Sequence, residues 1–158
     1  DNPDVRLTDT RKTTPGLRCL EKEAVRAGGA YNHRLSLYDG VLIKDNHIAV
    51  AGSIKSAVEA VRSRTSHLMK VEVEVTTMDE VKQAVEAGVE VIMLDNMTYD
   101  QMRRAVQYID GRAVVEASGN VSLETVKDIA ATGVNVISCG ALTHQARSVD
   151  LSMRISLA

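Results

Sequence analysis

The chain has 158 residues, close to the common size of a single domain, and 44% of them are apolar and 25% charged. This composition is typical of a globular protein and argues against a disordered one. A formal net charge of -2 and an aromatic set of four Tyr without Phe or Trp disfavour nucleic acid as a partner, because its binding uses positive fields and stacking rings. No apolar run approaches the roughly 20 residues of a membrane-spanning helix, so no membrane partner is expected.

Cysteine usage and the start of the chain bear on its compartment and domain organisation. Cys19 and Cys139 lie far apart and outside any CxxC spacing, so neither a disulfide framework nor a zinc knuckle is predicted. A reducing, cytoplasmic location fits this usage. The chain does not begin with Met and enters its first predicted strand at Val5, so we expect one domain over residues 1–158, preceded by a further segment.

Short apolar runs separated by loops and amphipathic stretches predict alternating strands and helices, the pattern of a parallel sheet. Two capping boxes, Thr77 with Glu80 and Thr98 with Gln101, mark helix starts. Glycines such as Gly88 mark helix ends, because the left-handed cap position prefers glycine. The seven predicted strands cover residues 5–10, 41–44, 69–75, 91–94, 113–117, 134–138 and 150–155.

Residues predicted at strand ends recur at a regular interval, which indicates a repeated strand and helix unit. Glu74, Asp95, Glu116 and Ser138 follow one another at 21, 21 and 22 residues. An open doubly wound sheet uses the same units, but the regular spacing and the lack of GxGxxG after the first strand favour closure. We therefore predict a TIM-like parallel α/β barrel with seven strands, smaller than the eight-unit form of roughly 250 residues.

The end of the first predicted strand carries adjacent cations. Thr10, Arg11 and Lys12 follow an apolar start, and in parallel α/β folds ligands bind beyond the carboxyl ends of the strands. These side chains are therefore predicted to face a binding site. The alternative is that the two charges are solvated loop residues.

Further cations gather around the second predicted strand. His33, Arg34, Lys44 and His47 lie in the stretch "AGGAYNHRLSLYDGVLIKDNHI", residues 27–48. Lys44 directly follows an apolar strand, so its ammonium group is expected to reach a partner or the ligand space. Taken singly, each of these residues is also compatible with a surface or loop position.

Acidic residues provide the opposite charge in the next two strands. In "VEVEV", residues 71–75, alternation places Glu72 and Glu74 on one face and the valines on the other. If the valines pack on outer helices, the glutamates point into the barrel, and Asp95 ends the following strand. Glu74 and Asp95 are candidates to hold Mg²⁺ or to accept hydrogen bonds from ribose hydroxyls. The alternative is structural ion pairing of the glutamates with lysines, Lys44 or Lys70.

Small residues end the later strands, in "ASGNVS" at residues 117–122 and "SCGALTH" at residues 138–144. Backbone N–H groups at such turns and at helix starts bind phosphate, and glycine permits close approach. Each segment is also compatible with an ordinary turn between a strand and a helix. Together with the cations and acids, these two turns predict a polyanionic substrate that contains a sugar phosphate.

Five segments of the chain resemble the quinolinate phosphoribosyltransferase family. They are "DTRKTTPGLR", "NHRLSLYDGVLIKDNHI", "VEVEV", "IMLDN" and "EASGN", in this order from Asp9 onwards. The resemblance implies transfer of a phosphoribosyl group from phosphoribosyl pyrophosphate to the ring nitrogen of quinolinate. It also implies decarboxylation to nicotinate mononucleotide, release of pyrophosphate, Mg²⁺ as cofactor, and a role in NAD biosynthesis.

The resemblance also implies roles for individual residues. Arg11, His33 and Arg34 would bind the two substrate carboxylates. Lys12 and Lys44 would lie between the dicarboxylate and phosphoribosyl pyrophosphate, beside Thr10. Glu74 and Asp95 would face the ribose hydroxyls and Mg²⁺, and with Lys44 they form the expected catalytic set. The residues expected around the 5-phosphate are Ser118, Gly119, Asn120, Ser138, Cys139, Gly140 and His144.

The chain departs from the family at two places. Family members carry an N-terminal domain before this region, and in a dimer the neighbouring subunit's copy of that domain covers the barrel mouth and adds an arginine. Asn120 stands where a second glycine is common. Two alternatives stay open: a related phosphoribosyltransferase with another acceptor such as nicotinate, and a catalytically silent barrel that binds anions or serves as a scaffold.

Overall fold

The computed structural model describes residues 5–156, so the first four and last two residues of the predicted domain lie outside the description. Within these limits the fold consists of six strands and seven helices. The strands are β1 (Arg6–Thr8), β2 (Val41–Ile43), β3 (Val71–Val75), β4 (Val91–Asp95), β5 (Val114–Ser118) and β6 (Val136–Ser138). The helices are α1 (Arg18–Ala27), α2 (Asp45–Ala51), α3 (Ile54–Arg62), α4 (Met78–Glu86), α5 (Tyr99–Ile109), α6 (Val126–Ala130) and α7 (Ala141–His144).

All six strands pair in parallel in one sheet with the order β1-β6-β5-β4-β3-β2. The first strand of the chain therefore lies beside the last, which is the strand order of a barrel rather than of an open doubly wound sheet. This strand order confirms the predicted parallel α/β architecture of TIM-like type.

The free edge of β1 is lined by the segment around Tyr31. Tyr31 forms a parallel bridge with Thr8, its N–H donates to Leu7 O at 2.9 Å, and its carbonyl accepts from Asp9 N at 3.1 Å. This short pairing fixes the segment that continues into His33. The chain after α1 is thus held against the end of the first strand.

The hydrophobic core lies between the outer face of the sheet and the helices. In β3, Val71, Val73 and Val75 are buried in this core, and helix residues such as Val58 and Val81 belong to the same cluster. Glu72 and Glu74 therefore point to the opposite, inner face, as the alternation predicts. Among the described residues no helix is both long and apolar enough to cross a membrane.

The capping predictions for α4 and α5 are confirmed. Thr77 Oγ1 accepts from Glu80 N at 3.2 Å, and a Glu80 carboxylate oxygen accepts from Thr77 N at 3.0 Å. Thr98 and Gln101 form the same reciprocal pair at the start of α5. These boxes satisfy N–H groups that have no partner inside the helix.

The predicted seventh strand at residues 150–155 is wrong. This segment has no regular structure, and its alternating apolar side chains, Leu151, Met153 and Ile155, are all exposed. Alternation makes a segment suitable for a sheet, but a strand also needs a neighbouring edge for its backbone hydrogen bonds. Within residues 5–156 this segment pairs with no such edge.

Candidate functional site

A cavity of about 560 Å³ opens at the carboxyl ends of the strands. The strand register aligns Thr8, Ser138, Ser118 and Asp95 across four neighbouring strands at this end. The volume of this cavity lies within the range of sites that bind small molecules. The cavity is lined by Thr10, Arg11, Lys12, His33, Arg34, Leu42, Lys44, Glu74, Met93, Asp95, Asn96, Ser118, Gly119, Asn120 and Ser138.

The expected equivalence of the four strand-end residues is wrong, because they lie at two levels of the sheet. Glu74 and Glu116 both pair with Met93, whereas Asp95 and Ser138 both pair with Ser118, to which strand β5 continues. Glu116 is therefore two residues short of the strand end and lies inside the barrel. The sequence interval could not show this, because a one- or two-residue difference in register between strands leaves the spacing almost unchanged.

The cavity holds two neighbouring guanidinium groups. Both Arg11 and Arg34 line the cavity, and burial and then the charge of Arg11 lower the pKa of Arg34. Arg34 donates one hydrogen bond to Gly40 O at 2.7 Å, while the buried Nε of Arg11 has no hydrogen-bond partner among the described residues. An anion bound in the cavity would offset the repulsion between these two positive charges.

A buried ion pair joins the two segments that carry these arginines. Asp9 is 0% exposed, and it accepts hydrogen bonds from Lys22 Nζ at 2.6 Å, Asn32 Nδ2 at 2.7 Å and His33 N at 2.7 Å. Lys22 also donates to His33 O at 2.9 Å. Asp9 precedes the cations that follow β1, so one carboxylate fixes them relative to His33 and Arg34.

An ion pair between Lys44 and Glu74 forms another side of the cavity. It corresponds to the structural pairing considered for the glutamates, but both residues line the cavity, and the Lys44 side chain is about half exposed. A substrate can therefore reach both partners. His47, the nearby cation from the sequence, instead accepts a hydrogen bond from Lys44 N through Nδ1 at 2.9 Å and so supports the start of α2.

Asp95 is held by a chain of side-chain amides at the mouth. Its carboxylate accepts from Asn96 Nδ2 at 2.8 Å, and Asn96 Oδ1 accepts from Asn120 Nδ2 at 3.2 Å. Gly119 has φ +96°, and a Cβ there would overlap the Asn96 side chain, so this turn requires glycine. Asn120 has φ 51°, a conformation that Asn tolerates better than most residues, so it is compatible with a position where glycine is common.

The second small-residue turn lies mostly beside the cavity. Ser138 lines it, but Cys139 is buried and donates its N–H to Thr8 O at 2.9 Å. His144 packs over Gly140, so these residues flank the cavity without lining it. Thr143 connects the turn to the cations, because its hydroxyl donates to Lys12 O at 2.7 Å.

The imidazole of His33 lies over two carboxyl groups inside the barrel. Nε2 is 3.3 Å from Glu72 Oε2 and 3.6 Å from Glu116 Oε1, and Nδ1 accepts from Arg34 N at 2.9 Å. Both ring nitrogens therefore face protein groups. Although His33 lines the cavity, it offers no free nitrogen to a ligand in this arrangement.

Several residues of the site escaped the sequence analysis. Lys22 gave a usable signal, since it lies three positions before Val25 on the buried face of α1, where a lysine needs a buried partner. Asp9 gave a weaker one as the last residue before the cations. Nothing in the sequence indicates the remaining residues, which are Asn32, Leu42, Met93, Asn96 and Thr143.

Comparison with known proteins gives a consistent family assignment. Residues 1–154 match the family described as quinolinate phosphoribosyl transferase, C-terminal domain. The probable nicotinate-nucleotide pyrophosphorylase (carboxylating) of Bacillus subtilis is 48% identical over 157 residues, which cover 99% of this chain and 54% of that protein. The chloroplastic nicotinate-nucleotide pyrophosphorylase (carboxylating) of Arabidopsis thaliana is 47% identical over 167 residues, covering 94% of this chain and 48% of that protein.

A solved structure supports the same family assignment. The crystal structure of NadC from Streptococcus pyogenes superposes with a TM-score of 0.91 at 44% identity, covering 96% of this chain and 53% of that one. The chain thus spans about half the length of the relatives that it matches.

Proposed function

The chain belongs to the quinolinate phosphoribosyl transferase family, and from that premise we propose that it forms the catalytic barrel of an enzyme that makes nicotinate mononucleotide. The substrates are quinolinate and phosphoribosyl pyrophosphate, and the other products are CO₂ and pyrophosphate. The observation that carries this proposal is that Arg11 and Arg34 line the same cavity as Asp95 and the Gly119 turn, with the charge of Arg11 close enough to lower the pKa of Arg34.

The two guanidinium groups select the acceptor. Quinolinate carries two carboxylates on adjacent ring carbons, and planar guanidinium groups bind carboxylates through paired charge-assisted hydrogen bonds. A monocarboxylate such as nicotinate would leave one of the two cations without a partner. The arrangement therefore favours quinolinate over nicotinate, the second candidate acceptor.

The acidic side of the cavity suits a sugar phosphate with a magnesium ion. Glu74 and Asp95 present carboxylate oxygens, which are the ligands that Mg²⁺ prefers, and Mg²⁺ is commonly bound by one or two carboxylates together with substrate phosphates. The donor set therefore fits this ion, which when bound would neutralise charge on the pyrophosphate. The turn at residues 118–120, with two successive positive φ values, presents the backbone to the 5-phosphate.

In the reaction, the ring nitrogen of quinolinate forms a bond to C1 of the ribose while the bond from C1 to the pyrophosphate oxygen breaks. Glu74 and Asp95 stabilise the positive charge that develops on the ribose, and Lys12 and Lys44 stabilise the departing pyrophosphate. The carboxyl group next to the ring nitrogen then leaves as CO₂, and a proton takes its place. Arg11 holds the ring in position, and no covalent enzyme intermediate is needed.

Replacing Arg34 by Lys tests the carboxylate site. Lys keeps the charge but loses the planar fork, so we expect the Kd for quinolinate to rise about 10- to 100-fold, equivalent to roughly 1.5–3 kcal/mol for one charge-assisted hydrogen bond. The Kd for phosphoribosyl pyrophosphate with Mg²⁺ should change less than about threefold, because the protein carboxylates proposed to bind it, Glu74 and Asp95, are other residues of the cavity. Isothermal titration calorimetry measures both.

The matched control is Arg103→Lys, which alters an exposed arginine paired with Asp100 on α5. It should leave both affinities unchanged. Equal weakening of the two ligands by Arg34→Lys would instead identify Arg34 as a structural residue, through its hydrogen bond to Gly40.

Replacing Asp95 by Asn tests the metal site. Asn cannot supply a charged oxygen ligand, so we expect the gain in phosphoribosyl pyrophosphate affinity on adding Mg²⁺ to fall about tenfold, while the affinity without Mg²⁺ does not fall. Calorimetry with and without Mg²⁺ gives both values, with the exposed Asp79→Asn on α4 as control. An undiminished Mg²⁺ effect would remove Asp95 from the proposed site.

The setting of the enzyme is also part of the proposal. We infer that the protein is cytoplasmic, because its two cysteines are free and Cys139 is buried. From the family resemblance we infer that the complete protein forms a homodimer or a larger assembly. The second candidate for the chain itself is a barrel that binds anions without turnover, because the chain spans about half of its relatives.

A further inference from the structure

Arg18, the first residue of α1, has a guanidinium group that the proposed reaction does not use. It is partly buried and is not among the residues that line the cavity. Its Nε donates to Thr13 Oγ1 at 2.9 Å, its Nη2 to Arg11 O at 3.2 Å and its Nη1 to Leu35 O at 3.3 Å. With the carboxylates of the described residues it forms no ion pair. Its contacts therefore fix the positions of uncharged groups and neutralise no charge.

The two carbonyl groups that Arg18 binds lie beside the two arginines of the proposed carboxylate site. One is the carbonyl of Arg11 itself, and the other belongs to Leu35, the residue that follows Arg34. One planar guanidinium group thus connects two segments that are distant in the sequence. Because the donors of a guanidinium group have a fixed relative geometry, these hydrogen bonds restrict the separation of the two segments.

Lys22 connects the same two segments from the next turn of α1. Its Nζ donates to Asp9 Oδ1 at 2.6 Å and to His33 O at 2.9 Å. Side chains at positions i and i+4 lie on one face of a helix, so Arg18 and Lys22 both point to these segments. Lys22 holds each segment before its arginine, and Arg18 holds each segment at the arginine or directly after it. Each segment is therefore attached to α1 at two points.

The loop after Arg34 transmits the position of Leu35 to the Arg34 side chain. The Asp39 carboxylate accepts from Leu35 N at 2.6 Å and from Ser36 N at 2.7 Å. At the other end of the loop, Arg34 Nη1 donates to Gly40 O at 2.7 Å. Because the loop is closed by these hydrogen bonds, a displacement of Leu35 would also displace the Arg34 guanidinium group.

We propose that Arg18 is a positioning residue that sets the distance between the guanidinium groups of Arg11 and Arg34, and thereby the selectivity of the site for two adjacent carboxylates over one. This inference rests on the proposed function. The distance between two cations matters for a ligand that contacts both of them, and matters little for a ligand with a single carboxylate. The expected consequence is a selective loss of quinolinate affinity when Arg18 is changed.

The test is Arg18→Lys, measured by calorimetry with quinolinate, with nicotinate, and with phosphoribosyl pyrophosphate and Mg²⁺. Lys keeps the charge, but one ammonium group cannot reach all the acceptors of a planar fork. We expect the Kd for quinolinate to rise about tenfold and the Kd for the other two ligands to change less than about threefold. The matched control is Arg26→Lys, an exposed arginine in the last turn of the same helix, which should change none of them.

Two further variants separate positioning from general stability. Arg34→Lys removes the planar group that Arg18 positions, so adding Arg18→Lys to it should raise the Kd for quinolinate by less than about threefold, because residues that act through one another are not additive. Thr13→Val removes the acceptor of Arg18 Nε and keeps the side-chain shape. It should raise the Kd for quinolinate about threefold and leave that for nicotinate unchanged. If Arg18→Lys does not fold, this variant decides.

Amide NMR of the ligand-free chain tests the connection without any substrate. Lys12 N–H and Ser36 N–H belong to the same peptide units as the carbonyl groups of Arg11 and Leu35. Both amide signals should shift in Arg18→Lys, because the hydrogen bonds to these carbonyl groups change. Both should stay in place in Arg26→Lys.

Three results would overturn the proposal. They are equal weakening of all three ligands by Arg18→Lys, which would identify a residue that only stabilises the fold, unchanged quinolinate affinity in that variant, and full additivity with Arg34→Lys. Unmoved signals of Lys12 and Ser36 would contradict the connection itself. A wild-type chain that binds quinolinate no better than nicotinate would overturn the proposed function and the selectivity role together, whereas the other results leave that function standing.

Discussion

We expect Lys22→Met to lower the free energy of unfolding by about 3–5 kcal/mol, the usual cost of leaving one member of a buried ion pair alone. Asp9 is fully buried, and Lys22 Nζ is its closest donor at 2.6 Å. Without the ammonium group, the Asp9 carboxylate keeps two neutral donors among the described residues, Asn32 Nδ2 and His33 N. Urea denaturation followed by circular dichroism measures the change through the transition midpoint.

The control is Lys82→Met, which removes a lysine from an ion pair with Asp79 at 3.0 Å on the exposed face of α4. Exposed pairs contribute at most about 1 kcal/mol, so this variant should be close to wild type. The double variant Lys22→Met with Asp9→Asn should recover part of the lost stability, since no unpaired charge is then buried. Similar, small losses in both lysine variants would contradict a stabilising role for the buried pair.

The second large effect concerns turnover by the 158-residue chain assayed alone. We expect it to fold and to bind phosphoribosyl pyrophosphate, but to form nicotinate mononucleotide at least about 100-fold more slowly than the Bacillus subtilis relative, of which it covers 54%. The cavity is open to solvent, and water weakens each charge interaction with a bound substrate. The family resemblance assigns a cover over the mouth and one further arginine to the part of the relatives that this chain does not match.

The measurement is nicotinate mononucleotide formation by the chain alone, by the full-length relative, and by the chain with the unmatched N-terminal part of that relative, added separately or fused ahead of Asp1. Recovery in the last case would support a role for that part of the relative in covering the mouth. Fast turnover by the chain alone would contradict the need for one. A folded chain that stays inactive in every combination would favour the barrel that only binds anions.

The sequence by itself determined the class of fold and most of the cavity wall. Alternating apolar runs, capping boxes such as Thr77 with Glu80, and the regular unit length predicted six of the strands and their parallel arrangement. Twelve of the fifteen predicted site residues line one cavity, because the carboxyl ends of parallel strands necessarily meet at one end of a barrel. These features depend on local pattern, which a single sequence carries.

Tertiary structure alone decided the partners of the charged groups. The pairing of Asp9 with Lys22, the position of Glu116 below the mouth, and the use of both His33 ring nitrogens depend on strand register and on contacts between distant segments. The same holds for the absence of a strand at residues 150–155 in the described chain, since alternation alone does not bring a segment beside a sheet edge. Local pattern fixes which face a residue occupies, but hydrogen-bond partners depend on distances across the fold, which the sequence does not specify.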